Sequence, residues 1–227
     1  MLGRQRWIGT RKVISGRFLR QTLKDHMPGI TEDDLVNPDN PYSETFFTKL
    51  GFQSVDSMDM SDFEGATIIQ DLAGPLDESL ENRFDVIYDG GTCEHIFNVP
   101  QAFANIDKML RPGGVLIGHA RCNNWINHGF FQFSPELVYG YWEKAMGYEL
   151  LHLTLQPILP AHFAKTSGTT NPNKTGRRPR LQRPLPVHSP VIMNYAVRKP
   201  RDKTAAPGDI YQSDYQTRWD TGEPGGH

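Results

Sequence analysis

Residues 84–119 read FDVIYDGGTCEHIFNVPQAFANIDKMLRPGGVLIGH, and this stretch decides the fold. It opens with a short apolar run, Phe84–Tyr88, that stops at Asp89-Gly90-Gly91. Helical spacing follows over Val99–Leu110, where Val99, Phe103, Ile106 and Leu110 share one stripe. Arg111-Pro112-Gly113-Gly114 interrupts it, and Val115–Gly118 resumes as an apolar strand. Strand, helix and strand in this order predict a parallel βαβ unit.

Working outward, the same alternation continues upstream. Gln53–Met58 and Ala66–Gln70 read as strands that stop at Asp59 and Asp71. Residues 42–50 predict a short helix with Gly51 as its C-cap. Residues 11–26 predict a longer one from the spacing of Val13, Ile14, Phe18, Leu19 and Leu23, and residues 28–41 read as a loop. Downstream, Ser134 suits an N-cap and Pro135 the first turn of another helix. Leu150–Leu155 and Val191–Val197 are expected as late strands in a C-terminal antiparallel edge hairpin. The pattern is that of an α/β fold with a mostly parallel sheet. One domain is expected over residues 1–200, with 160–188 as a long, mobile basic loop and 201–227 as an irregular tail.

Composition excludes several classes. No run approaches the length of apolar chain that spans a bilayer. Cys93 and Cys122 are the only cysteines in 227 residues, too few for a disulfide scaffold or a four-thiolate zinc site. A reducing, cytoplasmic setting is expected. The net charge of −2 conceals segregation. Residues 1–24 carry seven Lys/Arg and no acid, residues 25–149 carry 6 basic against 21 acidic, and residues 150–201 carry nine basic and no acid. The plainer reading of the basic ends is solvated surface, and nucleic acid is not an expected partner. Metal ligation is not expected either, because Glu94 and His95 are adjacent rather than spaced as ligands on one helix face.

In open α/β sheets ligands bind beyond the carboxyl ends of the strands. Asp59 there can accept hydrogen bonds from both hydroxyls of a ribose, and Asp71 can face an adenine amino group. Gly90 and Gly91 permit close approach of a ligand to the backbone. Each also has a structural alternative: the carboxylates as caps of the next helix, the glycines as a tight turn.

Residues 84–119 resemble the class I S-adenosylmethionine-dependent methyltransferases. The shared features are a strand ending in Phe-Asp-x-Ile, a loop carrying Glu94-His95-Ile96, a helix, and Leu110-x-Pro-Gly-Gly opening the next strand. VDSMDMS and ATIIQDL resemble that family's second and third strands. NNWINHGFFQFSPEL is similar to a subgroup of methyltransferase-like proteins whose chains begin with Leu-Gly-Arg-Gln. The resemblance implies a Rossmann-like, doubly wound fold and S-adenosylmethionine as cofactor. It implies cofactor contacts from Gly3, Asp59, Met60, Asp71, Leu72, Asp89, Gly90 and Gly91. It also implies methylation of an oxygen on a small or sugar-like acceptor.

For a hydroxyl acceptor the bases available near the cleft are His95 and His128, with Glu94 to orient them, and His119 as a weaker candidate. Asn123, Asn124, Asn127 and Gln132 crowd around His128 in the sequence, and Trp125, Phe130, Phe131 and Phe133 read as a wall facing a hydroxylated metabolite. The alternative is a loop stitched by its own amides. Lys174, Arg177, Arg178, Arg180 and Arg183 suggest a loop that closes over a phosphorylated or nucleotide-linked acceptor. One departure stands out: the family's first loop has an acid and a Gly-x-Gly turn, whereas residues 1–7 offer only Gly3. That departure supports a second reading, a non-catalytic methyltransferase-fold binding protein.

Overall fold

The computed structural model describes residues 1–7, 13–202 and 208–222. Where one domain over residues 1–200 is expected, backbone contacts divide the chain after Asp71 into two compact units, Met1–Asp71 and Leu72–His227.

The first unit holds helix α1 (Val13–His26), helix α2 (Glu44–Lys49) and two short parallel strands, β1 (Met58–Asp59) and β2 (Ile68–Ile69). Leu2 adds a one-residue parallel bridge to Met58. Leu2, Leu23, Leu35, Phe47 and Met58 form the buried apolar set. Of the expected α1 stripe, Leu23 is buried while Phe18 is exposed. Both strands are shorter than their apolar runs, because backbone pairing is confined to two residues each. Arg4 is fastened on three sides: Nε meets Glu44 Oε1 at 2.7 Å, Nη1 donates to the Glu64 carbonyl, and the guanidinium lies 4.1 Å from the Tyr42 ring centroid. One cation of the basic start is therefore used internally.

The second unit is built on a four-stranded sheet in the order β3-β4-β6-β5: β3 (Phe84–Asp89), β4 (Leu110–Asn123), β5 (Glu149–Pro157) and β6 (Val191–Arg198). β3 and β4 are parallel, and β6 pairs antiparallel with both β4 and β5. Three of the four strands therefore run one way. β4 is longer than its apolar run: the register steps from Phe84 opposite Leu110 to Val86 opposite Val115, so Arg111–Gly114 bulge out within the strand. Alternation gives the sheet one fully buried face, where Ile87, Leu116 and Val197 align in register. Each such side chain contributes about 1.5–3 kcal/mol by leaving water.

Helix α3 (Val99–Met109) supplies Ala102, Phe103, Ile106 and Met109 to the core. After Ser134 comes a π-helix, Leu137–Ala145, rather than an α-helix. It buries Val138 and Trp142, and Trp142 packs edge-on to Phe103. Lys199, buried, caps the far end of α3, its Nζ donating to the carbonyls of Asp107 and Leu110. A cation there satisfies carbonyls that the helix leaves unpaired and complements the helix dipole.

Two expectations from the sequence are corrected. Residues 160–188 are not a structureless loop. They hold helix α4 (Pro172–Thr175), bridge Leu155 to Ser167 and Thr169 to Leu181, and bury Ser167 and Thr169. Residues 201–227 are not irregular throughout, since Ser213–Thr221 form helix α5. Buried Asp214 takes Arg178 at 3.2 Å and Arg218 at 2.9 Å, which ties the basic segment to α5. In both places polar and backbone hydrogen bonds supply the order, so hydrophobic periodicity gives no sign of it.

Gly118 sits opposite Tyr195 on the buried face, and a Cβ there would lie 2.3 Å from the Tyr195 ring. Gly118→Ala is expected to lower stability by about 2 kcal/mol or more, because overpacking forces a buried aromatic out of place. Urea denaturation of the variant beside the parent chain measures this.

Candidate functional site

Asp89 ends β3 and turns the chain. Its Oδ1 accepts from Gly91 N at 3.1 Å and from Thr92 N at 2.7 Å. A short 3-10 turn, Cys93–His95, then buries Cys93 and Glu94 and leaves His95 exposed. The next strand, β4, runs parallel, so its own carboxyl end delivers residues 124–133 to the same edge of the sheet. That loop fastens to Glu94 through the backbone: Phe130 N and Phe131 N donate to the Glu94 carbonyl at 2.8 and 3.2 Å. Gly129 makes the approach possible. It has φ of 68°, and a Cβ on it would come within 2.7 Å of that same carbonyl oxygen.

The result is a cluster of Glu94, His95 and His128. One ligand-type atom of each lies within 4.8 Å of the others, and the two imidazole rings meet edge to face. The Glu94 side chain has 0% exposure. Among the described residues neither of its carboxylate oxygens has a hydrogen-bond partner, and the same holds for His128 Nε2 and Arg121 Nε. Arg121 Nε stands 3.5 Å from Glu94 Oε1, and His128 Nε2 stands 3.8 Å from it. Burial pushes the Glu94 carboxyl up to about 7; the proximity of its own backbone N–H opposes the rise, the negative charge of Asp89 adds to it, and Arg121 opposes it. Burial, Arg121 and His95 together hold the His128 imidazole below its ordinary value. A carboxyl that titrates near neutrality beside a neutral imidazole suits proton transfer.

Phe97, Phe130 and Ile126 are exposed on the same two loops, and the Phe97 and Phe130 rings are 5.5 Å apart. The amides are less free than the sequence suggests. Asn124 Nδ2 donates to the carbonyls of Val187 and Ser189, and Gln132 Oε1 accepts from Trp125 N. These two stitch the loop, while Asn123 and Asn127 are exposed. Arg121 escaped notice in the sequence. The only sign of it was its place in the run after the fourth apolar strand, and its role follows from Glu94 lying opposite.

The remaining expected residues are distributed as follows. His119 lies on β4 and is not one of the clustered residues, its Nδ1 against Asn194 Oδ1 on β6 and its carbonyl accepting from Arg121 Nη1, and with His152 and Gln156 it lines a cleft. In the first unit, Gly3 adopts φ of 63° and donates its N–H to the Met58 carbonyl, which places it beside β1. Asp59 is half-buried at the carboxyl end of β1, with Oδ1 accepting from Met60 N, and Met60 is exposed. Asp71 is exposed. Leu72 is a core residue whose carbonyl accepts from buried Asn105. Gly91 has a positive φ of 107°, but the space of its missing Cβ faces Arg121 Nη1 at 2.6 Å and Glu94 Oε1 at 2.8 Å. That glycine makes room for the cluster itself. Asp89 is occupied in its turn.

Glu94 carries a pH dependence. In the unfolded chain it ionises near 4.5, and in the folded one near 7. Between those values the unfolded state loses a proton that the folded state keeps, so folding weakens as pH rises through this window. In chelator-containing buffer Glu94→Gln is therefore expected to melt about 5 °C higher than the parent at pH 8. The advantage shrinks toward pH 5, and thermal melts at the two pH values measure it.

Residues 62–118 match a family model described as a methyltransferase domain. No curated protein matches the chain. Among solved structures, one is 1,6-didemethyltoxoflavin-N1-methyltransferase of Burkholderia thailandensis, with bound 1,6-didemethyltoxoflavin and S-adenosylhomocysteine. It is 17% identical with a TM-score of 0.41, over 68% of this chain and 64% of that one. TehB from Haemophilus influenzae is 13% identical with a TM-score of 0.39, over 68% of this chain and 54% of that one. A third, concerned with conversion of a disulfide bond into a thioacetal group during echinomycin biosynthesis, is 13% identical with a TM-score of 0.41, over 70% and 71%. The matched segment supplies β2, β3, α3 and the first part of β4, and over these residues the chain's resemblance to the methyltransferase family is borne out.

Proposed function

We propose that the chain is an S-adenosylmethionine-dependent methyltransferase acting on an oxygen of a small molecule. One observation carries the reading: beyond the carboxyl ends of two adjacent parallel strands, a fully buried carboxylate without a hydrogen bond among the described residues meets two imidazoles. Ligands of open α/β sheets bind at that edge. The family match over residues 62–118 supports the cofactor. So does the first unit, where the half-exposed acid Asp59 ends β1 and the left-handed turn at Gly3 adjoins it. An acid so placed suits ribose hydroxyls, and a glycine so placed suits a ligand lying close against the backbone.

When bound, the cofactor supplies a methyl group made electrophilic by a sulfonium. The chain's own residues then align and deprotonate the acceptor. The acceptor hydroxyl donates its proton to His128 Nε2, which is neutral near pH 7 and unengaged. Glu94, 3.8 Å away, stabilises the imidazolium that forms. Arg121 balances Glu94 when the carboxyl ionises, and its stack on Trp125 at 5.0 Å holds it there. Phe97 and Phe130 present exposed rings to an apolar face of the acceptor, such as one side of a sugar. Of the basic segment, Arg178 is committed to Asp214, and Lys174, Arg177, Arg180 and Arg183, which have no ion pair among the described residues, are the cations for a phosphorylated acceptor.

The first turn favours a second reading, a non-catalytic binding protein of the same fold. Gly3 is followed by Arg4, Gln5 and Arg6 with no second glycine, and Arg4 is tied to Glu44 and Glu64.

Calorimetric titration with S-adenosylmethionine and S-adenosylhomocysteine separates the two. Micromolar binding, weakened about 10-fold or more in Asp59→Ala, is expected from the first reading. Absence of binding favours the second. In labelled-methyl transfer to a panel of hydroxylated acceptors, His128→Ala is expected to lower turnover by about 100-fold while cofactor affinity stays within a factor of about 3.

A further inference from the structure

We infer that Glu94, His95 and His128 form a binding site for a divalent transition-metal ion, with a position left open for a ligand oxygen. The site assignment rests on geometry alone. Its use in methyl transfer rests on the reading above.

A carboxylate with two imidazoles is a donor set suited to Zn²⁺, Fe²⁺ or Co²⁺, whereas Mg²⁺ and Ca²⁺ prefer all-oxygen shells. Three protein ligands with an open fourth position is the arrangement of catalytic rather than structural zinc. The donor atoms are already gathered within 4.8 Å. Bonds of about 2.0–2.2 Å would require them roughly 3–3.5 Å apart. The closing movement falls to side chains able to make it: His95 is exposed and His128 is 30% exposed, so both rings can turn.

The independent sign is Glu94. A carboxylate with 0% exposure and two oxygens lacking hydrogen bonds is costly to bury. Arg121 relieves it only in part, at 3.5 Å and without a hydrogen bond. An ion would satisfy the carboxylate and His128 Nε2 together. The charges permit it: two acids, Asp89 and Glu94, stand with the cation Arg121 at this place. Arg121 already leans toward Trp125, on which it stacks. The chain positions the set through backbone groups, since the Glu94 carbonyl fixes the 124–133 loop that bears His128. The ion's open position would accept the acceptor oxygen and lower the pKa of its hydroxyl, whose proton then leaves to solvent; with the ion bound this step takes the place of proton transfer to His128 Nε2, which would be a ligand.

The test uses the untagged full chain, stripped with chelator and dialysed. Co²⁺ is titrated while visible absorption is followed, with Zn²⁺ competition by calorimetry. One equivalent of Co²⁺ is expected to give d–d bands that Zn²⁺ displaces. Glu94→Gln and His128→Ala are each expected to weaken affinity by about 10–100-fold. His95→Ala, at an exposed position, tests the set without opening a buried cavity, and Zn²⁺ at a concentration that saturates the parent should raise the parent's melting temperature more than that of these variants. Absence of saturable binding overturns the inference. So does binding that all three variants retain, because the ion would then sit on other side chains. S-adenosylmethionine titration in chelator reports separately on the methyltransferase reading, so failure of one is not failure of the other.

Discussion

The parallel pairing of β3 with β4 is the constraint on which the rest of the second unit depends. Asp89 stands opposite Gly118, and both strands discharge their chains at one edge. Two loops distant in sequence must then share a small space without a regular ladder to satisfy their backbone groups. The solution is local. Asp89 caps the first loop with its carboxylate, and the Glu94 carbonyl takes two N–H groups from the second. With the main chain satisfied this way, the Glu94 side chain is free of structural duty and is left facing the imidazoles. Buried polar groups are normally paired, so one left over at the ligand-binding edge of an α/β sheet marks where chemistry is expected.

Electrostatics at this edge are balanced rather than neutralised. Glu94 lies between a cation, Arg121, which favours its ionised form, and a second acid, Asp89, which opposes it. Desolvation then decides, and the carboxyl is held near neutrality. Arg121 in turn is divided between Glu94 and the face of Trp125. A bidentate ion pair would have locked both side chains and held the carboxyl ionised. The looser arrangement leaves each able to respond to an incoming group.

What the sequence made legible follows from the range of the interactions involved. The strand read over Phe84–Tyr88 and the helix read over Val99–Leu110 formed, as Phe84–Asp89 and Val99–Met109, because their apolar periodicity is local and strong. β4 extended well past its apolar run, because Arg111–Gly114 leave the ladder as a bulge and the strand resumes on the same partner. β1 and β2 fell short of theirs because strand length depends on what pairs alongside, which no local run reveals. α5 was missed because its anchors, Glu136 on the Ser213 N–H and the Arg178–Asp214 pair, come from distant chain. At the candidate site the types of residue were readable and their meeting was not. Glu94 and His95 announced themselves after a strand, whereas the closeness of His128 to Glu94 depends on Gly129 and two backbone hydrogen bonds.

The strand order has a consequence for how the chain is made. β6 comes last in sequence yet lies inside the sheet, between β4 and β5. Until it emerges during synthesis, β4 and β5 each offer a row of unpaired backbone groups, and the apolar face that holds Leu116 has no Val197 beside it. Open edges of that kind invite pairing with other chains. Insertion of β6 closes both at once, and Lys199, following directly, seats its ammonium on the end of α3 and locks the closure. Completion of this sheet therefore waits for the last of its strands. A nascent chain cut short of Val191 would lack both the seam and its latch.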